Sequence, residues 1–97
     1  MMLVVVAYDV NTESAQGRRR LRRVARVCEN HGQRVQKSVF ECWIDMANWV
    51  VFRAQLVAEI VTAQDRLRFY FLGENWKGRV EQVGAKPSYD PEGPLIV

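Results

Sequence analysis

One histidine, two cysteines and three prolines are all that 97 residues contain of those types, and the glycines number only six. A structural zinc takes four Cys or His ligands, and Cys28 and Cys42 form no C-x-x-C pair, so a zinc site is excluded. Both thiols are expected to lie buried as small apolar groups. Long apolar runs are missing as well. Met1 to Ala7 is far shorter than the roughly 18 residues of a membrane span, has no basic start and runs straight into Tyr8-Asp9. It therefore reads as a buried strand, with no membrane partner and a cytoplasmic location expected. Low-complexity tracts and internal repeats are absent, which leaves residues 1–97 as a single domain. Hydrophobic residues at 48% and charged residues at 26% exclude a disordered chain. A chain this short buries only about 60 to 70% of its unfolded surface, so a partner subunit would complete a thin core.

The formal charge of +3 is unevenly spread. Arg18, Arg19, Arg20, Arg22, Arg23, Arg26, Arg34 and Lys37 fall in one window opposed only by Glu29, giving it +7 against −4 for the remainder. Solvated helix faces usually mix signs, and this one does not. Concentrated cations on an otherwise acidic chain point to a polyanion, with nucleic acid ahead of a membrane surface.

Leu3 to Tyr8 has the β-branched, apolar inventory of a central strand. Asn11 to Ser14 are turn formers and helix caps, and a helix beginning near Ser14 or Gly17 places Leu21, Val24, Ala25 and Cys28 on one stripe with the arginines elsewhere. Gly32 is expected to stop it in a left-handed cap, with His31 in the last turn serving the helix dipole. Gln33 to Ile44 is extended, either as one long strand or as two joined near Lys37-Ser38. Asp45 caps a second helix whose core face is Trp49, Phe52, Leu56, Ile60 and Ala63. Leu67 to Leu72 is a strand, a turn follows at Gly73-Glu74-Asn75, and a short run from Arg79 to Val83 comes next. Beyond Gly84 the stretch through Pro87, Pro91 and Pro94 reads as an extension ending in the apolar Leu95-Ile96-Val97. The order fits an α+β, ferredoxin-like βαββαβ fold with an extra C-terminal strand: an antiparallel sheet with two helices on one face.

Asp9 ends the first strand, where ligands commonly gather in α/β sheets. It serves either as an Asx turn into the helix or as an Mg²⁺ ligand, since that ion accepts one or two carboxylates with water and phosphate completing its shell. One carboxylate is few for a nuclease, and a homodimer with Asp9 near its two-fold axis would supply a second. Tyr8, Phe40 and Trp43 could stack on bases, although strand positions of this kind more often face the core. Tyr8 is singled out because it adjoins Asp9.

The segments M-L-V-V-V-A-Y-D-V, G-Q-R-V-Q-K-S-V-F-E-C and V-E-Q-V-G-A-K-P resemble, in order and over nearly the whole chain, the small CRISPR-associated nuclease family, the subunit that pairs with the CRISPR integrase. The P-L-I-V tail is similar to the branch found with type I systems. The resemblance implies a ferredoxin-like homodimer in which Asp9 binds Mg²⁺ or Mn²⁺ between subunits, Tyr8, Ser38 and Phe40 line the catalytic site, and Arg18, Arg19, Arg20, Arg22, Arg23, Arg34 and Lys37 contact nucleic acid. It also implies hydrolysis of double-stranded DNA or single-stranded RNA, and a dimer that bridges two integrase dimers around captured duplex DNA. A non-catalytic DNA-binding scaffold and a toxin-like ribonuclease of the same fold are the alternatives.

In such dimers the terminal segment crosses to the partner, which would make residues 84–97 a dimer-crossing extension covering Leu95-Ile96-Val97. Deleting Leu95 to Val97 should loosen the dimer, seen as a shift toward monomer in sedimentation velocity. A truncated protein that stays fully dimeric would remove that role from the tail.

Overall fold

β-branched residues hold the start of the chain extended, and the computed structural model, which describes residues 1–73 and 80–84, runs strand β1 over Met2–Asp9. Ser14 then caps helix α1 (Ala15–Glu29), its Oγ accepting a hydrogen bond from the Gly17 amide at 3.0 Å. Two expectations for the end of this helix are corrected. The cap is Asn30 in a right-handed conformation, and Gly32 does not have positive φ. A glycine is needed there for close approach: a Cβ would collide with Cys42 Sγ and stand 2.6 Å from the Glu41 carbonyl oxygen. His31 lies beyond the last helical residue, and its ring stacks on Phe52 with centroids 4.3 Å apart.

The segment 33–44 resolves into a hairpin of β2 (Gln33–Gln36) and β3 (Val39–Ile44), turning at Lys37-Ser38, with a register shift between Arg34 and Gln36. Asp45 caps α2 (Met46–Glu59) by accepting from the Asn48 amide at 2.8 Å. Trp49, Phe52, Leu56 and Ile60 face the core as expected, but Ala63 is exposed in the turn that follows, because the helix stops before reaching it. β4 (Arg66–Leu72) and β5 (Val80–Gly84) complete an antiparallel sheet of order β2-β3-β1-β4-β5. This is the ferredoxin-like βαββαβ arrangement with a fifth strand paired to β4. The turn expected at Glu74-Asn75 and the extension expected after Gly84 lie outside the described residues.

Both helices cover the same side of the sheet. Val4, Val6 and Tyr8 of β1, Phe40 and Cys42 of β3, and Leu67 and Phe69 of β4 pack there against Val24, Cys28, Phe52 and Leu56. Trp49 presents its ring edge-on to Phe69 and Phe71 at 4.9 and 5.4 Å. Burial pushes the Cys28 thiol up to about 12 and the Cys42 thiol up to about 11, so both stay protonated, buried and unbridged, as expected. Arg53 of α2 donates twice to Glu81 of β5, at 2.9 and 2.7 Å, tying that edge to the helix layer. Among the described residues no helix is long and apolar enough to cross a membrane.

The opposite side of the sheet carries Leu3, Val5 and Ala7 of β1, with Val39 and Trp43 beside them on β3 and Tyr70 and Leu72 on β4. Trp43 is 65% exposed, against the expectation that it would turn inward, because strand alternation places Cys42 and Ile44 on the core side.

Asp65, just before β4, is fully buried. Its carboxylate accepts from Arg20 Nε at 2.7 Å and Nη2 at 3.2 Å, from the Asn11 amide at 3.0 Å and from the Val61 amide at 2.9 Å. Burial pushes this carboxyl up, but the Arg20 guanidinium and the two amides more than offset it and leave it below the usual carboxylate range. Asp65→Ala should therefore destabilise the fold by about 2 to 3 kcal/mol in urea titrations, since donors from three segments lose their acceptor. A depressed native pKa stabilises fully above the ordinary Asp value of 3.8 and is lost as the pH falls below it. Wild-type stability should thus fall more steeply than that of Asp65→Asn below about pH 4, and parallel curves for the two proteins would contradict this account.

Candidate functional site

Asp9 closes β1 on the side of the sheet away from the helices, and the β1–β4 register sets it opposite Arg66. Its Oδ2 accepts from Arg66 Nη2 at 3.1 Å, with the Asp9 side chain 71% exposed and that of Arg66 21% exposed. The Asx turn into α1 is made by Asn11, whose Oδ1 accepts from the Glu13 amide at 2.9 Å. Asp9 is left to present its carboxylate to solvent beside a fixed cation.

Tyr8 points the other way, into the core, with its ring stacked on Phe40 at 6.2 Å. Two bonds from this residue hold the β2–β3 turn against the end of β1: its amide donates to the Ser38 carbonyl at 3.0 Å and its hydroxyl to the Lys37 carbonyl at 3.3 Å. Burial raises the phenol above its ordinary value, so at neutral pH the Tyr8 hydroxyl is a hydrogen-bond donor and not a base. Phe40 is fully buried beneath the site, which corrects the expectation that it would line it. The Arg34 guanidinium sits 5.0 Å from the Phe40 ring centroid and also meets Glu29 at 3.1 Å.

The result is an open cleft of about 630 Å³ whose wall brings Tyr8, Asp9 and Ser38 together with Arg22, Arg34 and Lys37. The three cations of this cleft can hold an anionic backbone, and Asp9 stands at its edge.

On α1 the helical repeat aligns Arg18, Arg22 and Arg26 in one row and Arg19 and Arg23 in the next, all exposed. Arg18 also donates to the Thr12 carbonyl at 3.2 Å. Arg20 departs from the expected nucleic-acid set. Its side chain is only 11% exposed and its guanidinium is committed to Asp65, so it ties the fold together and leaves the basic face.

Sequence reasoning missed Arg66 and Asp65. The R-L-R-F-Y-F alternation hints that Arg66 leaves the core, but only the strand register brings it to Asp9. Among the described residues no three His, Cys, Asp or Glu side chains gather to hold a metal ion. Among the described residues lining the cleft, Asp9 is the one carboxylate, a hard oxygen donor that suits Mg²⁺ in a shell otherwise made of water and phosphate.

The family model described as CRISPR associated protein Cas2 matches residues 2–80. A protein of Chlorobaculum tepidum named CRISPR-associated endoribonuclease Cas2 is 62% identical over 96 residues, spanning 99% of this chain and 100% of its own. One from Halalkalibacterium halodurans, named CRISPR-associated endonuclease Cas2, is 52% identical over 95 residues, spanning 98% and 99%. The crystal structure of Streptococcus pyogenes Cas2 at pH 6.5 superimposes with a TM-score of 0.70 and 52% identity, covering 86% of this chain and 100% of that one. Matched across most of its length by the family model, by relatives and by a solved structure, the chain belongs to the Cas2 family of CRISPR-associated proteins.

Proposed function

We propose that the chain works in CRISPR spacer acquisition as a homodimeric endonuclease that binds duplex DNA, bridges integrase dimers and hydrolyses phosphodiesters of double-stranded DNA or single-stranded RNA with Mg²⁺ or Mn²⁺. The observation that carries this reading is the cleft in which Asp9 stands beside Arg22, Arg34 and Lys37. The names of the two relatives, one an endoribonuclease and one an endonuclease, support phosphodiester chemistry and leave both polymers as substrates.

The second copy is supported by the sheet face away from the helices, where Leu3, Val5, Trp43 and Leu72 form an apolar patch of the sort that subunits cover. Asp9 shares that face, so packing two copies across it about a two-fold axis brings two carboxylates to one rim. The two Asp9 carboxylates would hold the cation between them. A bound Mg²⁺ would supply Lewis acidity toward a phosphoryl oxygen and make a water it carries more acidic. Arg22, Arg34 and Lys37 neutralise the flanking phosphates, Ser38 offers its hydroxyl to a phosphate oxygen, and Tyr8, seated on Phe40, keeps the Lys37-Ser38 turn in place.

That Asp9 is the one carboxylate among the described residues lining the cleft favours a second reading, a DNA-binding scaffold in the same complex that does not cut. Incubating labelled duplex DNA and single-stranded RNA with wild type and Asp9→Ala in Mg²⁺ separates the two. The enzyme loses product on mutation and keeps its binding, whereas cleavage that survives the mutation belongs to a contaminant. Retention of an integrase subunit by the wild-type protein tests the place in spacer acquisition.

Replacing Arg18, Arg22 and Arg34 with Ala should weaken binding to all duplex sequences alike and lower the salt slope by roughly one per lost phosphate contact. Arg20→Ala should leave that slope unchanged and lower the melting temperature. An unchanged slope in the triple variant would return the arginine face to solvent.

A further inference from the structure

Arg66 has no part in the reading above, yet it occupies the carboxylate that reading needs. The pair is written into the β1–β4 ladder, because Asp9 and Arg66 are cross-strand partners and not the tips of two wandering loops. Arg66 also starts its strand directly after Asp65, whose buried carboxylate is fixed by Arg20, Val61 and Asn11. Asn11 lies two residues after Asp9. Both ends of the Asp9–Arg66 pair are thus tied to one rigid point, and the guanidinium stands 3.1 Å from the carboxylate.

Resting on Asp9 as the cation-holding carboxylate, we propose that Arg66 is a resident counter-cation, a positioning residue that a divalent ion must displace before Asp9 can hold it. The physical reason is competition. A guanidinium and a divalent ion seek the same oxygens and repel each other at this range, so arrival of the ion separates the pair. The displaced guanidinium then stands within a side chain's length of a phosphate bound at Asp9, which couples cation and phosphodiester binding: each favours the other. Without an ion, Arg66 keeps two Asp9 carboxylates brought together by a dimer from repelling one another.

The test is Mn²⁺ binding to the full-length protein, followed by loss of the free-ion electron paramagnetic resonance signal at low ionic strength, with no activity readout. Arg66→Gln should bind Mn²⁺ about fivefold more tightly than wild type, a modest factor because the pair is solvent-exposed. Arg66→Lys, which restores the charge, should return affinity to the wild-type level, an outcome a merely structural role would not give. Asp9→Asn should remove binding in every background. Should Arg66→Gln fail to fold, Arg66→Met keeps the packing of the stem and is read the same way. Equal or weaker binding by the Gln variant, with Asp9→Asn still abolishing it, overturns the counter-cation role and leaves the Asp9 site standing. Mn²⁺ held as well by Asp9→Asn as by wild type, or by neither wild type nor Arg66→Gln, overturns the Asp9 site and the counter-cation with it.

Discussion

A carboxylate withdrawn from water is costly unless donors replace the lost hydration, and Asp65 is surrounded by donors from three parts of the chain. Arg20 reaches it from the middle of α1, Asn11 from the loop between β1 and α1, and Val61 from the turn after α2. Each would be poorly placed alone. Together they fix where α1 lies over the sheet, where β4 begins and how the chain leaves Asp9, so the geometry of the cleft follows from a group that takes no part in it.

The two sides of the sheet divide the labour. Toward the helices, aromatic and aliphatic side chains interlock into the hydrophobic core. Away from them, apolar residues of the upper sheet give way to Asp9, Arg66 and Arg68 at the lower end, so one surface offers both an adhesive patch and a charged corner. Tyr8 and Asp9 are neighbours in sequence that face opposite ways. One stiffens the turn carrying Lys37 and Ser38, and the other meets solvent.

Much of this was legible from residue pattern. The caps at Ser14 and Asp45, the stripe of α1 and the strand inventory of β1 follow from local chemistry, and local chemistry fixes them in the structure. Residue pattern does not decide the hairpin at Lys37-Ser38, because neither residue forces a turn; the bond from the Tyr8 amide to Ser38 is tertiary. Arg20 could not be told from its neighbours for the same reason, since the carboxylate that claims it lies far along the chain. Phe40 and Trp43 exchanged expectations: both suit a strand, but the face each takes depends on register, and three consecutive valines in β1 give no alternation to reveal it. The motif resemblance found Asp9 and the basic residues around it, while the cation that meets Asp9 required the pairing of β1 with β4.

Cys28 and Cys42, packed under the sheet with their thiols held protonated by burial, carry a practical consequence. Alkylating reagents attack thiolates, so the native chain is a quiet background for maleimide chemistry under folding conditions. A cysteine introduced at an exposed position, such as Arg19 or Gln55, can be labelled with a fluorophore or spin probe while both natural cysteines stay in place. Distances between two copies in the proposed dimer could then be measured without disturbing the core.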